Sequence, residues 1–143
     1  MSFTGLIRTY YDNGILKEEY YVINNKKEGL YKIYWSNGQL RIICNFIDGK
    51  RNGEYKLYYD NGMCEQPTSY GQLWIDCNYI DGKINGEYKT YYSDGQLEII
   101  CNYIDGQKNG EYNEYHINGM REQPTSYGQL FQICNYIDGV LNG

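Results

Sequence analysis

The sequence predicts an all-β fold, an elongated single antiparallel meander of about ten strands built from five hairpin repeats. Three observations predict it. Gly14, Gly38, Gly62, Gly95 and Gly119 close near-identical phrases at spacings of 24, 24, 33 and 24 residues. A fixed period of this size marks a repeat array, in which each unit buries its apolar side on its neighbours. Between the glycines, apolar and polar residues alternate with period two, as half-buried strands require. Finally, 19 Tyr and 17 Gly stand against two Pro and no Ala. Tyr and Gly serve strands and tight turns, whereas a helical solenoid would draw on Ala and long polar helix formers.

Each repeat reads as two strands and two turns. In Glu54–Tyr59 the alternation puts Tyr55, Leu57 and Tyr59 on one face and Glu54, Lys56 and Tyr58 on the other. After the Asn61-Gly62 pair comes the second strand type, clearest at Leu40–Ile47, where Leu40, Ile42, Cys44 and Phe46 share a face and Arg41 and Asn45 fall opposite. Asn-Gly and Asp-Gly pairs flanked by alternating residues are strong hairpin signals, because both residue types accept positive φ. The second turn is read as the longer one, Asp48 to Gly53, Asp81 to Gly86 and Asp105 to Gly110. The strands are therefore placed near 6–11, 16–23, 30–35, 40–47, 54–59, 73–80, 87–92, 97–104, 111–116 and 130–137. The five repeats span about 5–29, 30–53, 54–86, 87–110 and 111–143, forming one domain over 1–143.

The phrase Tyr79-x-x-Gly82-Lys83-x-x-Gly86, with Tyr88 and Asp94-Gly95 behind it, resembles the MORN repeat, whose units are β-hairpins joined into an elongated sheet. Asn85-Gly86-Glu87-Tyr88-Lys89 with Tyr91–Leu97 is closer to the variant MORN repeats, found in bacterial antitoxin-like proteins and in long arrays in giant DNA viruses of protists. The resemblance covers about residues 5 to 143. It implies scaffolding, self-association or membrane-lipid contact, and it supplies no catalytic residues. The commonest motif has a second Gly where Glu54, Glu87 and Glu111 stand here, which weakens the case for lipid binding.

Charge and composition narrow the partners. The formal net charge of −5 opposes nucleic acid, since phosphate contacts need a basic footprint. No apolar stretch approaches 18 residues and Met1–Thr9 has no long apolar core, so the expectation is a soluble, intracellular protein without a signal peptide. No paired carboxylates, nucleophile–base pair or phosphate loop stands outside the repeat pattern, so catalysis and cofactors are not expected. His116 takes the place of Tyr59 and Tyr92 in its column and reads as a drifted surface position.

Repetition turns each position into a column. Cys44, Cys77, Cys101 and Cys134 form one, and equivalent residues lie two strands apart, roughly 9.6 Å at about 4.8 Å per strand. A disulfide needs Cα atoms within about 7 Å, and no Cys-x-x-Cys pair or second His offers a zinc site, so these thiols are expected to be free and metal-less. Tyr10, Tyr34, Tyr58, Tyr91 and Tyr115 line one face and Tyr31, Tyr55, Tyr88 and Tyr112 the other, as a single-layer sheet needs to gather buried area; base or sugar stacking is the functional alternative. Lys26, Lys27, Lys50, Arg51, Lys83 and Lys108 follow one edge. They could meet an anionic membrane, but Asp48, Asp81 and Asp105 in the same turns favour a simple solvated edge.

Two insertions stand apart from the repeat. They are Met63, Cys64, Glu65, Gln66, Pro67, Thr68, Ser69 and Tyr70, and Met120, Arg121, Glu122, Gln123, Pro124, Thr125, Ser126 and Tyr127, and they hold both prolines. Aligning 54–86 with 111–143 gives 23 identities in 33 positions. Duplication of a 57-residue block accounts for that identity alone; a paired partner-binding surface is the functional alternative, since loops on rigid scaffolds often carry binding. The expected function is a non-catalytic scaffold for protein–protein interaction or assembly. Its alternatives are a peripheral phospholipid binder and an antitoxin-like inhibitor. The strand Leu130–Ile137, read as an edge with few charges and no capping segment, also suggests self-association.

Overall fold

The computed structural model describes residues 1–60, 71–117 and 129–143. They form one antiparallel sheet: β1 (Gly5–Tyr10), β2 (Leu16–Ile23), β3 (Lys26–Tyr34), β4 (Leu40–Ile47), β5 (Lys50–Tyr58), β6 (Leu73–Ile80), β7 (Lys83–Ile84), β8 (Gly86–Tyr91), β9 (Leu97–Ile104), β10 (Gln107–His116), β11 (Gln129–Ile137) and β12 (Val140–Leu141). Strands neighbour in chain order, with the two-residue β7 pairing β6 beside β8. The predicted all-β meander is therefore the observed one, with short β7 and β12 added to its ten strands.

The two turn types are the reverse of what the sequence suggested. The Asp-Gly turns are the tight ones. Ile47 pairs Lys50 directly, and Asp48 and Gly49 both take positive φ, 50° and 80°, as a two-residue type I′ hairpin demands. The same geometry recurs at Asp81-Gly82, Asp105-Gly106 and Asp138-Gly139. The uninterrupted Asn-Gly and Asp-Gly turns elsewhere are longer: Tyr11 N–H bonds the Ile15 carbonyl across three residues, as do Trp35 with Gln39 and Tyr92 with Gln96. The Asn-Gly pair that closes each expected long turn instead lies within or beside a strand. In β5, Tyr55 pairs Cys44 but Arg51 pairs Phe46, so Asn52, Gly53 and Glu54 bulge against a single residue. Such bulges bend a strand and increase its twist.

Gly53 shows why glycine is needed at the bulge. Its φ is +87°, which side chains rarely adopt, and it is the cross-strand partner of Tyr79. Phe46 with Gly29, Tyr103 with Gly86 and Tyr136 with Gly110 repeat the same pairing.

Cross-strand partners share a face, so the register builds a continuous row: Tyr20 against Tyr31, Tyr31 against Cys44, Cys44 against Tyr55 and Tyr55 against Cys77. It resumes with Tyr88 against Cys101 and Tyr112 between Cys101 and Cys134. A tyrosine thus stands between cysteine columns. Rings meet diagonally along this face, Tyr55 with Tyr79 at 5.6 Å and Tyr88 with Tyr103 at 5.4 Å. Among the described residues, the buried apolar ones are Val22, Tyr31, Cys44, Cys77, Leu97 and Cys101. A single layer has no second sheet to close over it, so wide side chains lying on one another supply the core.

Candidate functional site

The insertions leave from the edge that carries the three-residue turns. Along it runs a column of Tyr11, Trp35, Tyr59, Tyr92 and His116. The Tyr11 hydroxyl donates to the Tyr34 carbonyl at 2.7 Å, Tyr92 to Tyr115 at 2.8 Å, and the Trp35 indole N–H to Tyr58 at 3.3 Å. Each aromatic therefore ties its own turn to the next repeat. Tyr59 does the same across the first insertion, bonding the Tyr91 carbonyl at 2.8 Å.

The insertions do not disturb the ladder. Tyr59 N–H bonds the Gln72 carbonyl at 2.8 Å, as Trp35 N–H bonds Gln39 at 2.8 Å. Tyr58 pairs Leu73, and Tyr115 pairs Leu130 with His116 against Gln129, matching Tyr34 with Leu40 in an uninterrupted repeat. The candidate loop residues Met63–Tyr70 and Met120–Tyr127 themselves lie outside the described residues.

One column beside these turns had not been singled out in the sequence. Lys17, Arg41 and Glu98 occupy it in the three uninterrupted repeats, and Trp74 and Phe131 in the two interrupted ones. Lys17 sits over Tyr11 at 5.6 Å and Arg41 over Trp35 at 4.3 Å, while Glu98 accepts the Thr90 hydroxyl at 2.9 Å. Trp74 instead stacks on Tyr59 with centroids 4.7 Å apart, and Phe131 lies 4.2 Å from His116. Both loop bases thus carry an aromatic pair. The signal was present as a charge-to-aromatic change in phase with the insertions. His116 is exposed, as its reading as a surface position implied, but it is one half of such a pair.

The opposite edge uses its cations internally. Lys26 pairs Asp48 at 2.7 Å, and Lys50 with Asp81 and Lys83 with Asp105 at 2.9 Å each. The ladder stops where Gln107 replaces lysine. The Lys26 ammonium holds the Asp48 carboxyl below its ordinary range by hydrogen bonding and charge. In three of these turns the next residue is basic and crosses the aromatic face: Lys27 lies 4.2 Å from the Tyr31 ring centroid, Arg51 5.3 Å from Tyr55 and Lys108 4.5 Å from Tyr112, whereas Ile84 follows Lys83. These contacts are cation–π in kind.

The thiols of Cys44, Cys77, Cys101 and Cys134 are free. Burial pushes Cys77 up to about 12 and raises Cys44 and Cys101, which disfavours the reactive thiolate. Among the described residues, no group of three or more His, Cys, Asp or Glu side chains is placed to hold a metal ion. Nor is any helix long and apolar enough to cross a membrane. The other face carries two shallow depressions at equivalent places, one between β3 and β5 and one between β8 and β10.

No curated protein matches the chain. The MORN repeat variant family matches residues 3–24, 27–48, 51–65 and 84–105, together more than half of the sequence. The strand order, hairpin repeats and these matches agree: the chain is a repeat β-sheet scaffold and belongs to the MORN repeat variant family.

Proposed function

We propose that the chain is a non-catalytic interaction scaffold that holds a protein partner on its loop-bearing edge. The observation that supports this is the unbroken ladder beneath the insertions. The Tyr59–Gln72 closure at 2.8 Å is the one an uninterrupted turn makes, so the inserted residues are additions that the sheet does not need. The two loop bases lie four strands apart in the sheet order, roughly 19 Å at about 4.8 Å per strand. Each is marked by an aromatic pair, Tyr59–Trp74 or His116–Phe131, of the rigid amphipathic kind that anchors protein interfaces.

Removing Met63–Gly71 joins Gly62 to Gln72 and recreates the Asn-Gly-Gln-Leu phrase at 37–40; removing Met120–Gly128 does the same at the second site. The double deletion should keep its strand signal in circular dichroism and lose binding to a partner first captured with the intact chain and then purified, with each single deletion weakening it. Unchanged binding with unchanged folding would leave the loops as duplicated ornament. A toxin as the captured partner would make the scaffold an antitoxin-like inhibitor. Peripheral phospholipid binding predicts salt-sensitive sedimentation with phosphatidylserine vesicles. The commitment of Lys26, Lys50 and Lys83 to aspartates argues against it.

A second reading, self-association through the terminal edges, draws on β11. The sequence reading left Leu130–Ile137 uncapped, but β12 pairs its Tyr136 and Ile137. Phe131 and Ile133 remain 58% and 62% exposed, and a strand edge with apolar neighbours favours pairing with another chain. Light scattering over a concentration series tests it, with a strict monomer counting against it.

A further inference from the structure

On the face opposite the cysteine row, a pattern holds through two repeats and breaks in the last. Glu54 pairs Lys56, two residues on in β5, at 3.3 Å, and Glu87 pairs Lys89 in β8. The corresponding residues of β10 are Glu111 and Asn113. An amide stands where the ammonium stood, and Asn113 Nδ2 donates to the Glu111 carboxylate at 2.5 Å. Asn113 Oδ1 is left buried without a donor.

The register places Lys89, Ile100 and Asn113 in one row and pairs Glu87 with Asn102 in the next, with Glu111 in the β10 bulge opposite Asn102. They enclose a depression of about 260 Å³ lined by Glu87, Ile100, Cys101, Asn102, Glu111 and Asn113. Its lining has an isoleucine floor and two carboxylates and contains no basic residue. The depression 57 residues earlier, about 450 Å³, is lined by Ile43, Asn45, Glu54 and Lys56 among others. There Lys56 is the cross-strand neighbour of Ile43 and turns its ammonium to Glu54. The wall of that depression thus shows the pairing such a surface supports, an alkyl stem beside isoleucine with a cationic head on glutamate.

We propose that the β8–β10 groove docks an arginine or lysine side chain from a basic segment of a partner protein, its stem over Ile100 and its head between Glu87 and Glu111. These glutamates stand two strands apart, roughly 9.6 Å at about 4.8 Å per strand, a span that a guanidinium with five donors can bridge. Lys89 already occupies part of Glu87, but a carboxylate has about four lone-pair sites and accepts more than one donor. The net charge of −5 draws a basic segment in and repels phosphate-bearing surfaces. This inference rests on the interaction-scaffold reading but uses a different surface from the loops, so the two can fail separately.

The test is an NMR titration of the full chain with a hexa-arginine peptide at low ionic strength, with hexa-glutamate as the control. Saturable shifts are expected at the Ile100 methyls and the Asn113 side-chain amide, and none with hexa-glutamate. Glu111→Gln should weaken binding at least tenfold. Asn113→Lys should do the same while folding normally, because Lys56 and Lys89 occupy that position elsewhere. Deleting both loops should leave the peptide affinity unchanged. Shifts spread evenly over the acidic turn edge, unaltered affinity in Asn113→Lys, or loss of binding on loop deletion would each overturn the proposal.

Discussion

Tyr59 donates its hydroxyl proton to the Tyr91 carbonyl at 2.8 Å across 32 residues, and Tyr92 reaches Tyr115 at the same 2.8 Å across 23. The nine-residue difference is the insertion, which the sheet accommodates without lengthening the bond. Repeat-to-repeat spacing is therefore set by the ladder and by these hydroxyls rather than by the chain between them.

Tyr59→Phe and Tyr92→Phe should each destabilise the fold by about 1 kcal/mol, the net worth of a part-buried hydrogen bond. Urea unfolding monitored by tyrosine fluorescence or circular dichroism measures both. The two losses should agree within error; a much smaller loss at Tyr59 would mean that the insertion loosens its junction.

Stability should fall in alkali. Burial pushes Cys77 and Tyr88 up to about 12 from ordinary values of 9.0 and 10.0. It also raises Tyr31, Tyr55 and Tyr112. Each group stays protonated in the fold at pH values where the unfolded chain has released its proton, so the native state binds more protons and its stability declines with rising pH. The contribution is complete below about pH 9 and is lost between there and about 12. A urea midpoint that holds constant from pH 8 to 11 would contradict this.

Thiol reactivity should follow burial along the cysteine column. In a Cys64→Ser background, iodoacetamide at pH 8 should label Cys134, which is only partly buried, before Cys44, Cys77 and Cys101, which are enclosed. Cys77, whose thiolate is the most disfavoured, should react slowest. Peptide mass mapping over time gives the order, and faster labelling of Cys77 than of Cys134 would refute the packing assigned to the row.

The two cations of one turn should differ in worth. Lys50 meets Asp81 with both side chains well exposed, 57% and 73%, so Lys50→Ala should leave stability almost unchanged. Arg51 lies over both Tyr55 and Tyr79 and covers their rings with its stem, so Arg51→Ala should cost about 1–2 kcal/mol. Thermal melts of the two variants, with salt added to screen the Lys50 pair, separate the contributions. Equal losses would show that the ring contacts add nothing.

Much of this architecture is legible in the residues themselves. The period, the strand positions, the shared face of Tyr55 with Leu57, and the placement of both insertions in one kind of turn follow from glycine spacing and two-residue alternation, which act within a single strand. What escaped that reading is cross-strand. Asp-Gly and Asn-Gly pairs satisfy the same local preference, so composition did not reveal that Asp48-Gly49 closes a two-residue turn while Asn52-Gly53 bulges inside β5. A bulge offsets every later pairing on its strand, and that offset decides that Arg51 lies over Tyr79. The aromatic pairs at the loop bases have the same origin, because Tyr59 and Trp74 meet only when the ladder closes between them. The sequence alone determined a meander of hairpins with two additions at one edge. The tertiary structure decided where each cation, ring and turn comes to rest, because contacts between strands depend on a register that no single strand carries.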